Sequence, residues 1–446
     1  SLARELRIAR VDETTGSLRE VPCQVSEELR RGALRHCRIL FPADSPPRAA
    51  ATWLVFYGNP DAELTAYPTD LAARGEGFGL DIENDYYVAS LSRQMGQLDR
   101  IKLKREHGME LFSGGEGHGE PPGIDWAHDY VGSNNFQKFR ITNWAACPDF
   151  EVIRGPLCVT VRRWGFPHSP IHPVFTPSRI HIFVDSRFFA GVPYFIKEGS
   201  MQVVKDLEIG YLRDDEWVFS GYSFTDTLWM GADGKLRTGP VDQGQQDNLW
   251  AVGFFNRVSR DAFIGLFLKH EAEGLPAITH SGAPVLHYRW HGPLWSRGLF
   301  QNARLAAGGV LRQKNAYLVS PFPERDGATM VEGCRNRLLH PLAVRPGRLP
   351  HGQAAAPWVC EKIGGCPSAP TQRTDLRRVI PGRVGLSPIS TPAPETNTAA
   401  HPVDKTPGGC SRPCAELRPR NSYSPRLGRS QCNPSPLVAM RPRLQR

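Results

Sequence analysis

Apolar and polar positions alternate with a period of two along most of this chain. Between Gly79 and Phe112 the sequence reads GLDIENDYYVASLSRQMGQLDRIKLKREHGMELF. A short strand is expected to end at Glu83-Asn84-Asp85. A second, YYVASLS, and a third, LDRIKLK, follow on either side of a turn that holds Gly96. Successive side chains of a strand point to opposite faces, so this alternation suits half-buried antiparallel strands. The same pattern predicts strands at LRIARV, RILF, FQKFRITNW and EVIRGPLCVTVRRW, and a meander through RIHIFVDSRFFA, PYFIKEGSMQVVKDLEIGYL and EWVFSGYSFTDTLWM. Two more strands flank a turn near Ser259-Arg260-Asp261, and VLHYRWHGPLWSR reads as a last strand-like piece. ATWLVFYG is an apolar run suited to a buried strand, closed by the turn Asn59-Pro60-Asp61.

Helical periodicity is scarce. SEELRRGAL, with Ser26 as its cap, is the best window and is short. Two stretches break the strand pattern: a Gly- and Pro-rich loop over 113–135, and GFPHSPIHPVFTPS with its four prolines. Loops this long in a compact domain are usually functional or mobile. Many short strands between turn signals argue for an antiparallel sandwich rather than a βαβ fold.

The strand rhythm at 79–112 resembles the opening of the large β-sandwich, or supersandwich, of carbohydrate-active proteins. There an N-x-Y-x-V-x-L strand precedes G-x-L-x-x-L and a polar hairpin. EVIRGPLCVTVRRWG at Glu151–Gly165 looks like a strand pair of the same group. VPCQVS and RILFPADSPPRAAATWLVFYG look like the small β-domain that precedes the sandwich in rhamnogalacturonan-lyase-like proteins. The resemblance covers roughly residues 20–300. It implies a mainly β fold with a small N-terminal β-domain (1–74) and a large antiparallel β-supersandwich (75–330); composition adds a disordered C-terminal tail (331–446). The resemblance implies a galactose-mutarotase-like or polysaccharide-lyase-like protein, acting as a lyase or hydrolase on acidic or deoxy-sugar glycans. The alternative is a non-catalytic carbohydrate-binding or interaction module. Many supersandwich enzymes also carry a helical toroid or barrel. This chain has no helical segment of that size, so a catalytic site would be self-contained on the sandwich or need a missing partner.

Charge sharpens the division. The 446 residues carry a net charge of +9, which invites a nucleic-acid reading. Residues 331–446, however, hold 18 Lys and Arg against 6 Asp and Glu, leaving 36 against 39 for the rest. The basic excess belongs to the tail, and the body gives no reason to expect a nucleic-acid partner. The tail also has 18 of the 39 prolines and only Trp358 and Tyr423 as aromatics. Such a segment cannot bury enough apolar surface to offset its ordering entropy. The same composition arises when GC-rich coding DNA is read out of frame, and only that DNA separates the two origins. Cys23, Cys37, Cys147 and Cys158 lie in the body without a C-x-x-C pair, so buried free thiols are expected. No run of 18 apolar residues predicts a membrane span, and no leader pattern opens the chain.

Four constellations could carry chemistry. His168 and His172 in GFPHSPIHP could serve as general acid and base on a sugar ring with Glu198 or Asp185 as carboxylate partner. The prolines rule out a helix there, so this pair does not read as a zinc site. The 113–130 loop concentrates Glu116, His118, Glu120, Asp125, His128 and Asp129. Its acidic members Glu116, Glu120 and Asp125 could bind Ca²⁺, and His118 and His128 could line a substrate cleft. Lys197 and Tyr222 are candidates for removing a proton beside a uronate carboxylate, which Arg187 or Arg213 would clamp. The plainer reading of Lys197 and Glu198 is a solvated strand face. Of the tryptophans, Trp126 and Trp164 border the irregular stretches and are the candidates for stacking a sugar ring. The expected juxtaposition is His118 or His128 beside His168 or His172 in one cleft.

Overall fold

A computed structural model describes residues 2–345 apart from 44, 46–48, 60, 94–95, 113–122, 132–139, 145–147, 169–179, 218, 220–223, 242–248, 279–284, 289–291 and 324, together with 437–440 and 443–444. The fold is mainly β, as the alternation implies, and every described strand pair is antiparallel. The three strands read between Gly79 and Phe112 form a meander, Gly79–Glu83, Tyr87–Leu91 and Leu98–Leu103. Ala72–Glu76 and Glu110–Phe112 complete this five-stranded sheet. Its first strand spans the 74/75 division expected from the sequence.

The largest sheet has nine strands. At its centre Ile180–Phe189, Tyr194–Val203, Val310–Pro321 and Asp261–Glu273 lie side by side, with Cys158–Gly165 and Asp149–Ile153 beyond the first of them. One face of this sheet looks inward. Val159, Val161, Phe188, Phe195, Phe263 and Tyr317 pack there with Leu80, Ile82 and Ile101 of the five-stranded sheet. Farther along the same strands Ile182, Val184, Met201 and Leu311 pack against Leu207, Ile209, Leu299 and Phe300. Those partners belong to Leu207–Trp217 and Gly292–Leu305 of a six-stranded sheet. Two sheets therefore share the cover of one inner face, and Trp217 and Trp295 of the six-stranded sheet also pack into the cluster beneath the five-stranded one.

The outer face of the nine-stranded sheet is covered differently. Near its Phe255–Leu318 end lies the helix Gly327–Leu339, whose Val331 and Cys334 are buried with Phe322 and Leu318. This helix crosses the expected tail boundary at 331. It carries order past it because Val331 and Cys334 find apolar partners on the sheet. Most of the remaining tail lies outside the described residues, although Leu437–Met440 and Arg443–Leu444 pair with Leu34–Pro42.

The N-terminal segment forms a three-stranded sheet and the hairpin Gln24–Arg31 with Leu34–Pro42. The best helical window, SEELRRGAL, is thus a strand. Gly32, at φ 61°, begins a two-residue turn that a hairpin favours, and cross-strand bonds outweigh one weak turn of helix. Gln24 ties this hairpin to the nine-stranded sheet. Its Oε1 accepts from Leu157 N (3.0 Å) and Cys158 N (2.8 Å), and its Nε2 donates to Cys158 O (2.9 Å). Gly155 makes room for it, since a Cβ there would lie 2.2 Å from Gln24 Cδ.

The family-like Asn84 has a structural role. Its Nδ2 donates to Phe189 O and Val192 O, both at 2.9 Å, and its Oδ1 accepts from Tyr86 N and Tyr87 N. It is fully buried and fastens the five-stranded sheet to the Ile180–Phe189/Tyr194–Val203 hairpin.

Candidate functional site

Alternation along the central strands assigns each side chain to a face. On Tyr194–Val203 the inward phase runs Phe195, Lys197, Gly199, Met201, Val203, and on Cys158–Gly165 it runs Val159, Val161, Arg163. On Val310–Pro321 it runs Leu311, Gln313, Asn315, Tyr317, Val319. Polar residues thus interrupt an apolar face at matching heights. Ser186 opposes Lys197, and Lys197 opposes Asn315. One step along, Gly199 opposes Gln313, which opposes His270. The result is a polar belt between the two apolar zones, where cover passes from the five-stranded to the six-stranded sheet. Arg163 and Lys197 are each 1% exposed.

Gln97, immediately before Leu98–Leu103, reaches the belt from the covering sheet. It lines a narrow crevice with Arg163, Ser186, Lys197, Phe188 and Phe195. The crevice has room for about one water-sized group. Gly96 lets the hairpin approach this closely. It has φ 69°, and a Cβ there would meet Arg163 Cδ at 2.5 Å. Gln97 is 2% exposed, yet neither its Nε2 nor its Oε1 finds a hydrogen-bond partner among the described residues. Gln313 Nε2 is in the same position, while its Oε1 accepts from Asn315 Nδ2 at 3.0 Å. Leaving a buried polar group unpaired costs about 1–3 kcal/mol. Arg163 and Lys197 each already interact with a neighbour.

Lys197 and Arg187, expected to act together on a uronate carboxylate, lie on opposite faces of the sheet. Arg187 and Glu198 fall in the outward phase and join a chain of ion pairs on the opposite face. Lys314 Nζ lies 3.0 Å from Glu198 Oε1, and Arg187 Nη2 lies 3.1 Å from Glu198 Oε2 and 3.0 Å from Asp185 Oδ2. Arg162 joins Asp185 to Glu27 of the N-terminal hairpin, which also pairs with Arg38 at 2.9 Å. Burial by itself would raise the Glu198 carboxyl, but Arg187 and Lys314 outweigh it and hold the group below its ordinary range. The Arg187 guanidinium is opposed by burial and kept firmly charged by Asp185 and Glu198. A carboxylate so engaged is a poor proton carrier near neutral pH. Trp164 is also outward, stacked on Phe183 at 6.4 Å between centroids.

Trp126, His128 and Asp125 lie on the strand Gly123–Val131 rather than in a loop, because that segment pairs with Leu207–Trp217. Arg213 lies on that partner strand. Arg140 opposes Ala127 on one side and His168 on the other, so the segments bearing His128 and His168 belong to one sheet. His118, His172, Tyr222, Glu116 and Glu120 lie outside the described residues, so the expected histidine cleft and Ca²⁺ site do as well. Among the described residues no group of three His, Cys, Asp or Glu could hold a metal, and no helix is long and apolar enough to cross a membrane. Cys23, Cys37 and Cys158 are buried free thiols as expected, joined by Cys334; Cys147 is outside the described residues.

Arg163, Gln97, Gln313 and Asn315 were not among the sequence candidates. Their signal is a polar residue placed in the inward phase of a strand, which Val159-Val161-Arg163 and Leu311-Gln313-Asn315-Tyr317 both display.

No protein-family profile matches the chain, and neither does any curated protein. Solved structures similar to it are distant. An α-mannosidase from Enterococcus faecalis V583 is 13% identical at a TM-score of 0.44, over 75% of this chain and 40% of that one. A glycosyl hydrolase family 38 protein from Enterococcus faecalis is 12% identical at 0.44, over 75% and 41%. The Slr1438 protein from Synechocystis sp. PCC 6803 is 10% identical at 0.35, over 58% and 99%. This chain thus spans less than half the length of the first two.

Proposed function

We propose that this chain is a carbohydrate-active β-sandwich whose site is the polar belt on the inner face of the nine-stranded sheet. The observation that carries this reading is the interruption itself. Lys197, Arg163, Gln313 and Asn315 stand at matching heights on an otherwise apolar face, where two covering sheets succeed one another. Gln97 and the Nε2 of Gln313 are buried there without a hydrogen-bond partner among the described residues, and such groups are costly to leave unpaired. A sugar supplies the hydroxyls and apolar ring faces that such a belt with flanking Phe188 and Phe195 would accept. In the catalytic version Lys197 is the group that moves a proton, as a polysaccharide lyase or hydrolase requires.

One observation favours the non-catalytic alternative. Glu198, an expected catalytic carboxylate, and Arg187, an expected carboxylate clamp, are committed to ion pairs on the opposite face, and the residues lining the crevice include no carboxylate. The test is a panel of uronate-containing and neutral polysaccharides offered to the full chain. Absorbance of a new unsaturated uronate is followed alongside reducing-end release. A rise in both establishes a lyase, and reducing ends alone a hydrolase. Silence in both, with retention on a polysaccharide affinity gel, establishes a binding module. Silence without retention removes the carbohydrate reading.

A further inference from the structure

We propose that the outer edge of the strand Leu34–Pro42 is a strand-accepting site, and that its occupant is this chain's own C-terminal segment, 437–444. Three observations converge. The first is the character of the strand. Cys37, Ile39 and Phe41 pack into the N-terminal core, whereas Leu40 packs with Leu157 and Phe189 beside the nine-stranded sheet. A strand that is apolar toward both faces resembles a central one, and its buried N–H and C=O groups need partners along both edges. The hairpin partner Gln24–Arg31 supplies only one edge.

The second observation is the register on the other edge. Leu437, Val438, Ala439 and Met440 oppose Pro42, Phe41, Leu40 and Ile39, and Arg443 and Leu444 oppose His36 and Arg35. Ile39, Leu40, His36 and Arg35 thus have a strand partner on each side. Two residues separate the two paired pieces on either strand, so a single register runs through both without a slip. The separating residues of the segment are Arg441 and Pro442, and a proline has no N–H to give a ladder. The third observation is compositional. LVAM at 437–440 is the longest unbroken apolar run between residues 341 and 446. Recognition by an added strand draws its affinity from main-chain hydrogen bonds and its specificity from the side chains alongside. An apolar edge left open would take a strand from another molecule. The C-terminal segment therefore guards this edge by filling it from within the chain.

The test follows amide hydrogen exchange in the full chain and in a double variant, Val438→Pro with Ala439→Pro. Successive residues of a strand turn their N–H groups to opposite edges, so one of the two prolines removes a ladder bond wherever the phase falls. Exchange over residues 34–42 is expected to be about tenfold faster or more in the double variant, with Ile180–Phe189 unchanged. A synthetic peptide of residues 434–446 is then added to both proteins. It is expected to bind the double variant and restore slow exchange over 34–42, and not to bind the parent, whose edge is taken. The same peptide carrying both prolines should do neither. Unchanged exchange over 34–42 in the double variant overturns the proposal. So does equal binding of the peptide by parent and variant, or a peptide that fails to restore protection. A parent that sediments as a dimer, with a double variant that sediments as a monomer, overturns occupation from within the chain and assigns the segment to a second copy.

Discussion

The two faces of the nine-stranded sheet bury charge in opposite ways. On the outer face cations and carboxylates alternate in a chain, Lys314–Glu198–Arg187–Asp185–Arg162–Glu27–Arg38, and each charge touches its complement. That face joins the N-terminal hairpin to the sheet, and its charges are already spent on structure. On the inner face Lys197 and Arg163 line a crevice without a carboxylate, beside a glutamine that has no described partner. The same strands supply both, one residue apart. Charge that is internally matched holds a fold together, whereas hydrogen-bonding capacity left over, as at Gln97, marks where a further group can contribute.

Removing the most buried link of the outer chain should have the largest effect. Asp185 is 2% exposed and holds Arg162 and Arg187 together. Asp185→Ala leaves two guanidinium groups facing each other and is expected to cost about 3–5 kcal/mol, read as a lower midpoint in urea. If the comparison holds, binding of acidic tetrasaccharides by the folded variant stays at the parent level.

A second outcome concerns the joint itself. Cys158 lies under Gln24, and burial pushes its thiol up to about 11. At pH 8 it should resist alkylation in the folded protein. Gln24→Ala withdraws three hydrogen bonds from the sheet edge and opens a path past Gly155. Mass spectrometry is expected to find Cys158 labelled at least several times faster in the variant, with Cys334 unchanged.

The sheets were legible because alternation is local. Tyr87–Leu91, Leu98–Leu103 and Tyr194–Val203 each show it plainly. The strand Val310–Pro321 was not legible, although it lies at the sheet's centre. Its middle reads Arg312-Gln313-Lys314-Asn315, polar on both faces, because one face carries the ion-pair chain and the other the belt. Polar residues on both faces erase the pattern that would have announced the strand. The pairing of Lys197 with Arg187 failed for a related reason. Closeness along a strand does not put side chains on one face, and phase decides which ones meet. Asn84 was legible as a motif but not as a latch, since its partners at Phe189 and Val192 are more than a hundred residues away.

Acid should act on the outer face before the inner one. The folded Glu198 carboxyl titrates below its unfolded value, held down by Arg187 and Lys314. Between those two values the unfolded chain binds more protons, so its contribution is fully present above the ordinary carboxylate range, about pH 4.3. It is lost as pH falls through the lowered folded value. The stability difference between parent and Glu198→Gln, measured by urea titration, should be constant from pH 8 to about pH 5 and shrink toward zero below it. A difference that grew on acidification would mean that the ion pairs do not set the behaviour of this carboxylate.

The mildest break is at the chain's exposed end. Lys314 and Glu198 approach to 3.0 Å, but each side chain is 33% exposed, so water and salt screen the pair. Lys314→Gln is expected to cost only about 0.2–1 kcal/mol, and less in 0.5 M salt than at low ionic strength. Lys314 stands beside Asn315 in sequence, and the two residues point to opposite faces of one strand. Asn315→Leu, one position along, should leave the salt dependence of stability as in the parent while reducing retention on an acidic polysaccharide gel. If Lys314→Gln weakened retention as strongly as Asn315→Leu, the division of labour between the two faces would fail, because the strand would then act as one electrostatic unit rather than as two surfaces with separate tasks.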